Sequence, residues 1–265
     1  MTSELGKRIA TALVLAPLTI WWILYAPSPW FGWLLGVLIV VALFELVHML
    51  SLPLRFWFAL AASTAVALIL AGEHVAVAIL LLGVAWAALL MTSGRASSDE
   101  VLSGVLNKLA LAYWMAVWLL LFAWTLLLLH QFPFGNQFVF GAFVGVWASD
   151  IAAYFAGKRF GRNKLCPAIS PGKTVEGALA GTFLGALAAA SIWVFYAHVS
   201  VSLAIVLGVA LVLAGVLGDL AESAVKRAVN VKDSGNLLPG HGGILDRIDA
   251  LVPAVSVAGL LWIGL

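Results

Sequence analysis

The chain has 265 residues, of which 64% are hydrophobic and only 10% charged, with a formal net charge of +2. Soluble domains carry about 25% charged residues, so a chain this apolar lacks the polar surface to cover a globule. A soluble fold is excluded, and a multi-span membrane protein is the class that remains. The single cysteine, Cys166, excludes an internal disulfide.

Nine apolar runs follow one another: Ile9–Tyr25, Trp30–Leu50, Phe56–Ala71, Val75–Met91, Leu109–Leu129, Phe138–Phe155, Gly177–Tyr196, Leu203–Val225 and Ile248–Leu265. A helix needs about 20 residues to cross a bilayer, and most of the runs comply; Phe56–Ala71 is short. The expected fold is therefore all-α: a single integral-membrane domain, 1–265, of about nine transmembrane helices joined by polar cytoplasmic loops. Residues 1–130 supply N-terminal spans, and 138–265 carry most of the polar groups. The first run, behind Lys7 and Arg8, resembles the start of a signal peptide. No small-residue cleavage site stands near Ala26 and further spans follow, so it reads as a retained helix. With the N-terminus in the cytoplasm and the sides alternating, all fourteen Lys and Arg fall inside, and the opposite loops hold only Glu73. That is the positive-inside pattern, and it puts the C-terminus outside.

The polar residues within this apolar chain are the functional candidates, because a charge at membrane depth is costly. Glu45 and His48, at i,i+3 in the second run, read as a buried hydrogen-bonded pair. Asp150 lies near the inner end of the sixth run, with Tyr154 one turn on. Asp219, Glu222 and Lys226 share one helix face at the inner end of the eighth. The loop between the sixth and seventh runs carries Lys158, Arg159, Arg162, Lys164 and Lys173 against Glu176 alone. Its Ser170-Pro-Gly-Lys-Thr174 lacks the first glycine of a P-loop, since Pro167 stands there. Ser170 is expected to cap the following helix with Pro171 at its first position, leaving free N–H groups for an anion.

The densest stretch is Ser223–Asp249. It holds Lys226, Arg227, Lys232, Arg247, Asp233, Asp246, Asp249 and His241, interrupted by Gly235, Gly240, Gly242 and Gly243. Lys and Arg bind phosphate. Glycines let backbone N–H groups approach an anion. Carboxylates hold the divalent cation that accompanies a nucleotide. Asp246 and Asp249, at i,i+3, read as one face at the start of the ninth span, placed to share a metal with Asp219; the alternative is a helix-dipole role. His241 reads equally as a phosphate or base contact or as a turn residue.

From Ser223 to Asp249 the pattern Ser-x-Val-Lys-Arg-x4-Lys-Asp-x-Gly-x2-Leu-Pro-x-His-Gly-Gly-Ile-x-Asp-Arg-Ile-Asp resembles the signature of the phosphatidate cytidylyltransferases, or CDP-diacylglycerol synthases. Asp150–Tyr154 and Ser170–Gly177 are similar to further features of that family. The resemblance covers the C-terminal half. It implies transfer of the cytidylyl group from CTP to phosphatidate, with Mg²⁺ and room for a second cation, in the cytoplasmic membrane, by a homodimer. No nucleic-acid partner is expected. Asp219, Asp246, Lys226, Arg227 and Lys232 become the expected catalytic residues. Lys173, Ser170, Thr174, Ser223, His241, Gly242, Gly243 and Arg247 are expected to bind substrate, and Asp219, Asp246, Asp249 and Asp150 to hold metal. A phosphate monoester has a second pKa of about 6, so the attacking oxygen needs no protein base. Two rivals keep part of this reading. A cation-coupled transporter would use Asp150 and Asp219 without the basic loops, and another lipid-phosphate transferase would keep cations and metal alike.

Overall fold

The computed structural model describes residues 2–53, 99–238, 240 and 242–264. Its helices are α1 (Thr2–Tyr25), α2 (Ser28–Met49), α3 (Asp99–Gln131), α4 (Gly135–Phe160), α5 (Val175–Tyr196), α6 (Val201–Ala228), α7 (Leu245–Ile248) and α8 (Leu251–Gly264). Among the described residues five helices are long and apolar enough to cross a membrane: α2, α3 from Leu106 onward, α4, α5 and α6. Two shorter apolar helices, Leu13–Tyr25 within α1 and α8 itself, accompany them. The expected runs Phe56–Ala71 and Val75–Met91 lie outside the described residues.

The all-α expectation needs one correction. Between α4 and α5 stands an antiparallel ribbon of β1 (Lys164–Cys166) and β2 (Ser170–Thr174), with Lys164 opposite Thr174 and Cys166 opposite Ser170. A Gly/Pro loop pressed against a helix bundle must still satisfy its backbone donors and acceptors, and strand pairing does so locally. Pro171 has no N–H to donate, which a two-stranded ribbon tolerates because each strand has a free edge. The ribbon also moves the helix cap. Ser170 is in β2, and the N-cap of α5 is Thr174, whose Oγ1 accepts from Gly177 N at 3.1 Å. Val175 N donates to Asn163 O at 2.9 Å, so the first turn of α5 is closed by its own chain and does not present the free N–H groups expected for an anion.

Among the described residues, helices α4 and α5 share the most extensive helix–helix contact. A Cβ on Gly185 would lie 2.7 Å from Gly145 O and from Ser149 Cβ, and one on Gly181 would lie 2.9 Å from Ser149 O. In lipid the hydrophobic effect does not drive helices together, so association rests on such van der Waals contact between small residues. At the end of α4 away from the ribbon, Phe138 stacks on Trp193 and on Trp262, with ring centroids 4.4 and 4.3 Å apart. The Trp193 indole donates to Phe138 O at 2.8 Å. The core runs through α2, α3 and α8, where Leu43, Leu46, Phe122, Leu126, Ala254 and Val255 are fully buried.

The last expected run is also interrupted. It opens as the single turn α7, and Asp249 and Ala250 separate that turn from α8. Asp249 Oδ1 accepts from Ala250 N at 2.7 Å. Asp246 and Asp249 therefore do not begin one continuous helix.

Gly185→Leu is expected to destabilise the protein by about 1–3 kcal/mol, the usual cost of overpacking. Leu179→Ala on the exposed side of α5 is the control. Thermal unfolding in detergent measures both; equal melting temperatures for Gly185→Leu and wild type would refute close α4–α5 packing.

Candidate active site

A cavity of about 620 Å³ opens where α4 ends, under the ribbon and against α5 and α6. The close α4–α5 contact makes it possible, because it brings the ribbon over the last turns of α4. Thr174 sits in a seat of glycines there: a Cβ on Gly157 would lie 2.9 Å from its Oγ1, and one on Gly161 would lie 2.7 Å from its Cγ2. Asp150, Tyr154 and Lys158 of α4, Lys164 and Lys173 of the ribbon, and Asp219 of α6 line the cavity.

Lys173 Nζ lies 2.7 Å from Asp219 Oδ2, and both side chains remain partly exposed, at 25% and 32%. The other oxygen, Asp219 Oδ1, accepts from Ser223 Oγ at 3.2 Å. Asp150 lines the same cavity as Asp219 and Lys173. The cavity thus gathers two carboxylates and three lysines around open space. Two hard-oxygen ligands lining one cavity suit a small divalent cation. Asp150 and Asp219 are the pair that would hold it.

A second centre lies deeper and is closed. Lys226 Nζ stands 2.7 Å from Asp246 Oδ1 and 3.3 Å from Glu222 Oε1, and all three residues are buried. Asp246 Oδ2 accepts from Ser234 N at 2.8 Å, Gly243 N at 2.9 Å and Ser234 Oγ at 3.0 Å. Burial alone would raise the Asp246 pKa, but the Lys226 hydrogen bond and the Gly243 and Ser234 N–H groups outweigh it and hold the carboxyl below its ordinary range. Glu222 is less well served. Neither of its carboxylate oxygens has a hydrogen-bond partner among the described residues, and it lies beside Asp249. Those two acids border an apolar cavity of about 290 Å³ between α3, α6 and α8.

The structure therefore divides the expected site. Asp150, Asp219, Lys173, Ser170 and Thr174 meet at the open cavity, and Ser223 adjoins it through Asp219. Lys226, Asp246 and Gly243 belong to the closed centre. Asp246 pairs with Lys226 at 2.7 Å, and both side chains are buried there. Among the described residues no three Asp, Glu, His or Cys side chains converge on one point. Arg247 and Lys232 are exposed, and Arg227, exposed as well, donates from Nη1 to Val231 O at 3.2 Å. Gly242 has φ +82°, and a Cβ there would lie 2.8 Å from Asp246 Oδ2, so the turn requires glycine. His241 lies outside the described residues.

Glu45 was expected to pair with His48. Instead its carboxylate reaches Ser234, Ile244 and Leu245, while His48 is exposed and stacks on Phe44. The one available signal was a lone acid in an otherwise apolar helix, which marks a buried charge without naming its partner.

Lysines and carboxylates gathered around one cavity at the ends of membrane-length helices make a site suited to phosphate-bearing ligands. Residues 6–263 match the model of the cytidylyltransferase family. The chain is 36% identical over 273 residues to the phosphatidate cytidylyltransferase of Pseudomonas aeruginosa, covering 97% of each. It is 50% identical over 121 residues to the enzyme of that name from Bacillus subtilis, 45% of both chains. With its namesake from Haemophilus influenzae it shares 48% over 119 residues, 43% of this chain and 41% of the relative. The chain belongs to the cytidylyltransferase family.

The depressed Asp246 pKa gives a pH dependence. A carboxyl whose folded pKa lies below its unfolded value of about 3.9 contributes stability above that value and loses it as pH falls through the folded pKa. The melting temperature is expected to fall below about pH 4, and Asp246→Asn to flatten that fall. Parallel pH profiles for the two proteins would remove Asp246 from the account.

Proposed function

We propose that this protein transfers the cytidylyl group from CTP to phosphatidate, giving CDP-diacylglycerol and pyrophosphate, in the bacterial inner membrane. The observation that carries this is the open cavity, where Lys158, Lys164 and Lys173 face Asp150 and Asp219. Family membership over residues 6–263 supports it. In this reaction a phosphatidate phosphate oxygen bonds to the α-phosphorus of CTP, and the bond from that phosphorus to the bridging oxygen of the β-phosphate breaks. The attacking phosphate is already ionised at neutral pH, so the protein's task is to hold two anions together. Lys158, Lys164 and Lys173 bind phosphate oxygens, and Asp219 orients Lys173 through their ion pair. Arg247, exposed on α7, closes the cation set. Mg²⁺ held by Asp219 and Asp150 would neutralise phosphate charge. Lys226 and Asp246 serve the reaction by fixing the chain around the cavity.

The same reading puts the N-terminus and the ribbon in the cytoplasm, where CTP is, and the C-terminus outside. Nine spans follow from it, with the two runs between 56 and 91 completing the count. The family resemblance adds a homodimer. A cysteine introduced at Asn163 should be labelled from the cytoplasmic face only, and one at Asn136 from the opposite face only. Cytoplasmic labelling of Asn136 would invert the topology.

The decisive assay is purified protein with radiolabelled CTP and a panel of lipid phosphates. Lys173→Ala is expected to cut kcat/KM by roughly 10–150-fold, the worth of one hydrogen bond to a charged group. Asp219→Asn should reduce turnover by several orders of magnitude at every Mg²⁺ concentration, with melting temperature preserved. Turnover of Asp219→Asn within about tenfold of wild type would reject the metal assignment.

A further inference from the structure

We infer that Glu45 is a positioning residue for this reaction, a carboxylate of α2 that caps α7 and sets the loop running from Asp233 to Leu245. The inference rests on the function proposed above, because the loop serves the cavity in which that transfer takes place.

Glu45 is the one acid in the 22 residues of α2, and it is buried at 6% exposure. A buried carboxylate is tolerated only when donors surround it. All the donors it finds come from the other end of the chain. Oε1 accepts from Ile244 N at 3.0 Å, and Oε2 from Leu245 N at 2.8 Å and Ser234 Oγ at 3.2 Å. Ile244 and Leu245 open α7, where backbone N–H groups have no partner within the helix. The helix lacks a side-chain cap of its own. Glu45 supplies that cap from 199 and 200 residues away.

The loop is shaped to receive it. A Cβ on Gly235 would lie 2.7 Å from Glu45 Oε1, and one on Gly243 would lie 2.5 Å from Oε2. Any side chain at either glycine would push the carboxylate out. Ser234 Oγ stands between Glu45 Oε2 and Asp246 Oδ2, at 3.2 and 3.0 Å. Its single proton serves one acceptor at a time, so Ser234 joins Glu45 to the Asp246–Lys226 pair. Glu45 does not line the cavity. It acts through the loop, by holding α7, which ends two residues before Ala250, a residue that lines the cavity.

Glu45→Gln keeps the shape but turns one oxygen into a donor facing backbone N–H groups. Ser234→Ala removes the hydroxyl and spares the cap. The experiment compares both with wild type in detergent by amide hydrogen exchange at 233–249, by melting temperature, and by kcat and KM for CTP and phosphatidate. Glu45→Gln is expected to speed exchange at Ile244 and Leu245 and to lower kcat/KM by roughly 10–150-fold, with a raised KM for CTP. Ser234→Ala should shift the same quantities less. A merely structural role would lower kcat in proportion to the folded fraction and leave both KM values unchanged, and that result overturns the proposal. So does unaltered exchange at Ile244 and Leu245. If Glu45→Gln does not fold, Ser234→Ala decides by the same criteria. A wild type inactive on CTP and phosphatidate overturns the reading of the reaction, and the exchange data then decide by themselves whether Glu45 sets the loop.

Discussion

A lysine ammonium withdrawn from water holds the polar end of this protein together. Lys226 is buried at the last turn of α6, and Asp246 and Glu222 are its counter-charges. A buried ion pair adds little net stability against an apolar alternative, but breaking one by removing a partner is strongly destabilising. The consequence is geometric. Asp246 must face Lys226, which puts α7 against α6. The second Asp246 oxygen then draws in Ser234 and Gly243, and the loop between them closes into a compact turn. Glu45 meets that turn from α2, so the N-terminal helices are tied to the C-terminal signature by hydrogen bonds as well as by packing.

The open cavity follows the opposite electrostatic rule. In the closed centre Asp246 is held by hydrogen bonds and Glu222 by its ion pair to Lys226; in the cavity lysines outnumber carboxylates around open space. The Lys173–Asp219 pair is partly exposed, and such pairs contribute only about 0–1 kcal/mol. Under the proposed function, a phosphate would take over Lys173 at little cost and leave Asp219 for a cation.

That frame depends on small residues. Gly145, Gly181 and Gly185 bring α4 and α5 into backbone contact, and Gly157 and Gly161 seat Thr174 beneath the ribbon. With larger residues at these positions the ribbon would stand off from α4, and Lys173 could not reach Asp219. Backbone satisfaction decides the ribbon itself, because a polar loop closed over helix ends must pair its own donors.

Composition, periodicity and local spacing were enough to establish a membrane protein, the positions of α2 to α6, the basic loops and the signature from Ser223 to Asp249. These are short-range properties: a helix in lipid needs its own apolar length, and basic residues gather on one side of the bilayer. The same reasoning put Asp219, Asp150 and Lys173 in one site, since all three lie at the ends of neighbouring spans. It did not give the partners that Asp246, Lys226 and Glu45 find in the fold. Asp246 and Lys226 are 20 residues apart, and Glu45 bonds to groups 189 to 200 residues away. Spacing along a helix shows which side chains share a face, but the partner of a buried charge is whichever opposite charge or donor the packing delivers. Only the tertiary structure decided that Lys226 neutralises Asp246, that Thr174 and not Ser170 caps α5, and that an acid in α2 closes the turn leading to α7. In each case a group removed from water had to be satisfied by what the folded chain brought within about 3 Å.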